Sequence, residues 1–316
     1  MGHSPAVWLG FSGLVVALLA LDLGVLNRRS HVLSFREAVS WSLGWISLAL
    51  LFGVFLLWRE GTRPALEYFT GYLIELSLSV DNLFVFILIF QYFAVPAALQ
   101  PRVLKWGIVG AVVMRAVMIG LGAFLLARFD WIRYVFGAIV IVTGIKMITQ
   151  EEMRVEPERN PVVRLAHRFL PFTRSYEGQH FLVRDARGRW LGTPLLLVLL
   201  VVESTDLVFA VDSIPAIFAV TSDPFIVYTS NIFAILGLRA LFFVLAGMLD
   251  KFVYLKPGVA GILVFVGIKM VASHWVHVPI ALSLGIIIAT LALAVAASIV
   301  KARRDEAARG EARLPS

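Results

Sequence analysis

The stretch VVESTDLVFAVDSIPA, Val201 to Ala216, sets Glu203, Asp206 and Asp212 inside an otherwise apolar run. Its flanks, Leu195 to Val202 and Ile214 to Val220, carry no charge. A run this long and greasy belongs inside a bilayer, where each carboxylate costs at least about 2.5 kcal/mol even on insertion scales. A cost of that size points to function. A second stretch, Glu75 to Phe86 (ELSLSVDNLFVF), repeats the arrangement with Glu75, Ser77, Ser79, Asp81 and Asn82. The expectation that organises the rest of the chain is that these two segments face each other and hold a metal ion.

Composition limits the class. The 316 residues are 59% hydrophobic and 16% charged, with mean hydropathy +0.87, values that suit a polytopic membrane protein and no soluble domain. The formal charge of +7 comes from Lys and Arg placed between apolar runs rather than on one basic face, which speaks for membrane orientation and against nucleic acid. The sequence has no cysteine, which excludes thiolate metal sites, cysteine nucleophiles and disulfides. Nothing in it indicates an enzyme or a prosthetic group.

The expected fold class is all-α, a polytopic transmembrane helix bundle forming a single membrane domain. Apolar runs near the roughly 20 residues needed to cross the hydrocarbon core recur about nine times. They are Ala6 to Leu26, Val39 to Trp58, Leu66 to Phe93, Val103 to Ala127, Trp131 to Ile148, Thr193 to Val220, Phe225 to Leu249, Pro257 to His274 and Val278 to Val300. The first run lacks a basic segment before it and is followed by Arg28 and Arg29, so it reads as an uncleaved anchor. Alternate connections hold Arg28, Arg29 and Arg36; Arg102 and Lys105; the basic segment Arg154 to Arg189; Lys251 and Lys256; and the tail arginines after Lys301. The other connections hold only Arg59, Arg63, Arg128 and Arg133. That asymmetry predicts a plasma (inner) membrane protein with its N-terminus outside and C-terminus cytoplasmic.

The connection 149–192 is the one sizeable polar segment. Pro161 to Leu170 (PVVRLAHRFL) predicts a short amphipathic helix at the lipid headgroups, and Phe181 to Trp190 a small hairpin. The tail 301–316 is polar and charged.

Internal similarity supplies the plan of the bundle. A shift of about 124 residues lays Ser79, Asn82 and Leu83 on Glu203, Asp206 and Leu207, and Arg115 on Arg239. One gap later, GIKM at Gly144 to Met147 meets GIKM at Gly267 to Met270. Two three-span units, 66–148 and 193–274, are expected. An odd number of spans per unit inverts the second relative to the first. The two helices within 6–58 and the last, 278–300, flank them.

Spacing says which polar groups can meet. Glu75, Ser79 and Asn82 lie at i, i+4 and i+7 on one helical face, and Glu203 and Asp206 at i and i+3 on another. Asp81 and Asp212 fall off those faces, so all five carboxylates converge only if the helices unwind, for which Pro215 is a cause near Val211. Carboxylate, amide and hydroxyl oxygens are hard ligands suited to Mn²⁺, Mg²⁺ or Ca²⁺. The expected metal ligands are Glu75, Asp81, Asn82, Glu203, Asp206 and Asp212. Ser79, Thr205, Asn231 and Asp22 are expected in support, with Arg115 and Arg239 pairing some of the acids. Asp22 also reads as a partner for Arg28, and Asn231 equally as a helix–helix hydrogen bond. His274 and His277 read as interfacial and solvated, and Lys146 and Lys269 as snorkelling near span ends.

The segments ELSLSVDNLFVF and ESTDLVFAVDSIPAIFAVT, with LDLGVLNRR in the first span, NPVVRLAHRFLPF in the long connection and the paired GIKM ends, resemble the TerC family of integral membrane proteins within the LysE-like transporter group. The resemblance covers nearly the whole chain. It implies export of manganese, in a family named for tellurium resistance, and its intramembrane acids match Glu75, Asp81, Glu203, Asp206 and Asp212, with Asn82 as its asparagine. The expected function is a secondary transporter exporting a divalent cation, Mn²⁺ first, by alternating access with proton antiport as the coupling. The alternative is a membrane-protein assembly or scaffold factor, or a tellurium-resistance-associated protein that does not itself transport. Expected partners are the cation, the bilayer, a second copy of the chain and membrane-protein assembly partners.

Overall fold

The computed structural model describes residues 3–22, 33–149, 160–185, 187–246, 254–273, 275–276 and 278–311. Their order is α1 (Pro5–Ala20), α2 (Phe35–Glu60), α3 (Thr62–Tyr92), α4 (Gln100–Arg128), α5 (Ile132–Thr149), α6 (Pro161–Phe169), β1 (Leu182–Arg184), β2 (Trp190–Gly192), α7 (Pro194–Phe218), α8 (Pro224–Leu236), α9 (Leu238–Ala246), α10 (Leu255–Ala272) and α11 (Ile280–Glu311). Arg28, Arg29, Arg154, Lys251, His274 and His277 lie outside the described residues, as do residues 312–316 of the tail.

Among the described residues seven helices are long and apolar enough to cross a bilayer, namely α2, α3, α4, α5, α7, α10 and residues Ile280–Arg304 of α11. A bent pair, α8 and α9, meets at 45° across Gly237 and makes an eighth where the two count as one span. The sequence anticipated an unbroken helix there. At the start, α1 is a 16-residue apolar helix within the expected span Ala6 to Leu26, of which residues 23–26 lie outside the described residues.

Local chemistry sets the boundaries. Gly61, at φ +94°, separates α2 from α3 with a backbone conformation that favours glycine. Asn160 caps α6 by accepting from the Val162 N–H at 2.9 Å, and Asp223 caps α8 by accepting from Phe225 N–H at 2.9 Å. The hairpin pairs Leu182 with Gly192 and Arg184 with Trp190. Asp185 closes its turn, taking the Arg187 N–H at 2.8 Å and the Arg189 N–H at 2.9 Å.

Helix α3 is the hub, buried over most of its length and packed on α2, α7, α8 and α11. Aromatic rings fill the contact between α2, α3 and α8, with Phe52 at 4.9 Å from Phe233 and 5.3 Å from Tyr68. Helices α5 and α10 run antiparallel in close contact. A Cβ on Gly137 would strike the Gly267 carbonyl and Val271, one on Gly144 the Ala260 carbonyl and Val264, and one on Gly267 the Gly137 carbonyl and Ile141. Glycines here let the two backbones approach as small residues do between membrane helices.

Candidate functional site

The Arg115 guanidinium of α4 is fully buried, enclosed between α3, α7 and α8. Its Nη1 donates to Glu75 Oε1 in a short contact, to Ser213 Oγ at 3.1 Å and to Asn231 Oδ1 at 3.2 Å. Its Nη2 donates to Asp206 Oδ1 at 3.2 Å. Asn231 turns its amide nitrogen to Glu75 Oε2 at 3.0 Å, and the Ser79 hydroxyl reaches Glu75 Oε1 at 3.4 Å. Both Glu75 oxygens are thereby held. A buried ion pair needs such additional hydrogen bonds to offset desolvation.

Asp206 differs from Glu75. Its Oδ2 is buried and has no hydrogen-bond partner among the described residues. Asp206 and Glu203 line one cavity of about 20 Å³, walled by Leu83, Phe86, Leu104 and Ile108 and reached by Arg239. That volume admits about one water. The Glu203 carboxylate lies against Gly110 of α4, where any Cβ would collide with it. Gly110 therefore acts as a notch for this side chain.

The other acids stand apart. Asp212 accepts from Thr143 Oγ1 of α5 at 2.7 Å, with Lys146 in electrostatic range. Asp81 is half-buried on α3 with Lys256 of α10 as its electrostatic neighbour. Asn82 is buried on α3. Thr205 is spent on its own helix, donating to the Val201 carbonyl at 2.7 Å. Asp22 pairs with Arg239 at 2.8 Å, both of them buried, while Arg28, its expected partner, lies outside the described residues.

The single convergent cluster expected from the sequence is thus divided. Among the described residues no three His, Asp or Glu side chains gather closely enough to hold a metal ion by themselves. The reason is helical continuity: α3 runs unbroken from Thr62 to Tyr92 and α7 from Pro194 to Phe218, with Pro215 inside it. Acids six residues apart on a regular helix diverge by about 120°. What the fold does bring together is Glu75, Arg115, Asp206, Asn231 and Ser79, with Glu203 beside Asp206. Ser213 was missed as a partner, although its place seven residues after Asp206 puts it on the same face. Gly110 was missed as well, and nothing in its own neighbourhood marks it.

Residues 60–306 match the model of the family described as "Integral membrane protein TerC family". The "Uncharacterized membrane protein STKORF319" of Myxococcus xanthus is 52% identical over 300 residues, covering 95% of this chain and 94% of that protein. A Salmonella typhi protein named "Putative membrane-bound redox modulator Alx" is 47% identical over 318 residues, 98% of each chain. The protein of the same name in Escherichia coli (strain K12) is 47% identical over 299 residues, 92% of this chain and 93% of its own. No solved structure matches the chain.

Proposed function

The chain belongs to the TerC family of integral membrane proteins, and we propose that it is a secondary transporter that exports a divalent cation, Mn²⁺ ahead of Ca²⁺ or Mg²⁺, through the Glu203–Asp206 cavity. The observation that carries this reading is the unpartnered Oδ2 of Asp206 on a residue that shares its cavity with Glu203. Glu75 and Asp206 pair with one guanidinium, Arg115, and Glu203 adds a third carboxylate on the cavity that Asp206 lines. Ionised, they leave two negative charges at membrane depth. A divalent cation balances them, and oxygen ligands completed by water suit a hard ion. Glu75, held on both oxygens, orients Arg115 and does not ligate. Asp81 and Asp212, in their separate places, are stations on the path to and from the cavity.

An inverted pair of three-helix units, nine spans counting α1, and alternating access complete the proposal. Support comes from α5 and α10. The sequence correspondence maps Gly137 to Ala260 and Gly144 to Gly267. Gly137 packs on Gly267 and Gly144 on Ala260, so exchanging the two helices reproduces the same contact. The proposed orientation places the N-terminus outside and the C-terminus in the cytoplasm, on the loop-charge asymmetry. Protons are the proposed counter-ion, since acids that release a cation at membrane depth need another positive charge. A redox role of the kind the Alx name states would need chemistry other than thiol–disulfide exchange, because these 316 residues include no cysteine.

The test is cellular manganese content under manganese stress. Deletion should raise it, the wild-type gene should restore it, and Glu203→Gln and Asp206→Asn should not. Unchanged content on deletion, with altered levels of other membrane proteins, would replace transport with the assembly reading.

A further inference from the structure

We propose that Arg239 is a tethered substitute for the transported cation, parked on Asp22 and drawn into the acid cavity when the cation leaves. This rests on the reading of Glu203 and Asp206 as the cation seat. Arg239 lines the same cavity as those two acids. It is 5% exposed, and its Nη2 is paired with Asp22 Oδ1 at 2.8 Å. Its Nε, like Asp206 Oδ2, is buried with no hydrogen-bond partner among the described residues.

A guanidinium keeps its charge at any physiological pH and presents a fork that matches a carboxylate. It can therefore supply one of the two positive charges that the seat needs when the cation leaves, a proton supplying the other. The fold supplies both the freedom to move and a place to return. Arg239 follows Gly237, the point at which α8 and α9 meet at 45°. A break of this kind is where two helical segments can change angle without unwinding. Asp22, once vacated, keeps Lys105 within electrostatic range, so its charge is not left uncompensated. Asp22 is a positioning residue: it holds the competing cation out of the seat.

The test is Mn²⁺ binding to the purified full-length protein in lipid nanodiscs, read from the paramagnetic resonance signal of free Mn²⁺. Asp22→Asn should release Arg239 into the seat and weaken Mn²⁺ binding about tenfold. Adding Arg239→Gln in that background should restore binding to wild-type strength or better. A pair that is only structural predicts the same direction of change for both variants, or none, and either result overturns the proposal. Should Asp22→Asn fail to fold, the double variant decides. Wild-type or tighter binding with bound Mn²⁺ exchanging about tenfold more slowly supports the proposal, and weakened binding overturns it. Wild type that binds no Mn²⁺ removes this inference together with the reading beneath it. Binding that Asp206→Asn abolishes, with no opposed effects at Asp22 and Arg239, removes this inference alone.

Discussion

Arg115 Nη2 meets Asp206 Oδ1 at 3.2 Å while Asp206 Oδ2 has no partner among the described residues. One carboxylate thus faces two ways, toward a fixed cation on one side and toward the Glu203 cavity on the other. Glu75, with both oxygens engaged, has no such second face. Removing Glu75 should therefore be a structural injury, and removing Asp206 a functional one added to the structural cost that Arg115 imposes.

Glu75→Gln leaves Arg115 buried with half its charge partners gone. Breaking one side of a buried pair costs about 3–5 kcal/mol. The variant should unfold at a markedly lower temperature in detergent, whether or not Mn²⁺ is present, and an unchanged unfolding temperature would contradict the network.

Gly110→Ala puts a methyl group where the Glu203 carboxylate lies. The methyl group meets only the far end of a flexible side chain, which can swing aside at small cost in stability, but the displaced carboxylate should cost Mn²⁺ affinity. Alanine at Gly120, where a Cβ meets nothing within 4 Å, is the control and should leave binding alone.

Gly144→Leu should force α5 from α10, since even a Cβ there meets the Ala260 carbonyl and Val264. A loss of about 1–3 kcal/mol is expected, read as a lower unfolding temperature. Transport should fall with it if these helices form the interface between the moving units.

Asp185 makes a pH prediction outside the membrane spans. Hydrogen bonds, first from the Arg189 backbone and then from its side chain and the Arg187 backbone, hold its carboxyl below the usual carboxylate range, against a smaller opposing effect of burial. A depressed folded value means that the turn is supported above the ordinary range and loses that support as pH falls through the lowered value. Protection of the Arg187 and Arg189 amides, measured as exchange relative to the intrinsic rate at each pH, should fall on acidification through that window, and Asp185→Asn should show the lower protection already at neutral pH.

The sequence announced the elements whose chemistry is local. Helix α6 and the hairpin followed from PVVRLAHRFL and from the Asp185–Gly188 turn, because amphipathic period and turn residues act over a few positions. The acid-bearing α3 and α7 followed from carboxylates in apolar runs. The break at Gly237 did not, because the flanking residues are uniformly apolar and a lone glycine in such a run is tolerated as often as it bends. Pro215 pointed to a break in α7 that the helix does not make; with only Ala216, Ile217, Phe218 and the cap beyond, the missing N–H costs little of the ladder. The pairing of Asp22 with Arg239 spans 217 positions, beyond any local pattern.

The most direct test of the central claim is Mn²⁺ flux into proteoliposomes holding the purified protein. Wild type should carry Mn²⁺ at a rate that rises with an opposing proton gradient, Glu203→Gln and Asp206→Asn should reduce that rate to the protein-free leak, and both variants should remain folded. Flux by Asp206→Asn equal to wild type would contradict the account.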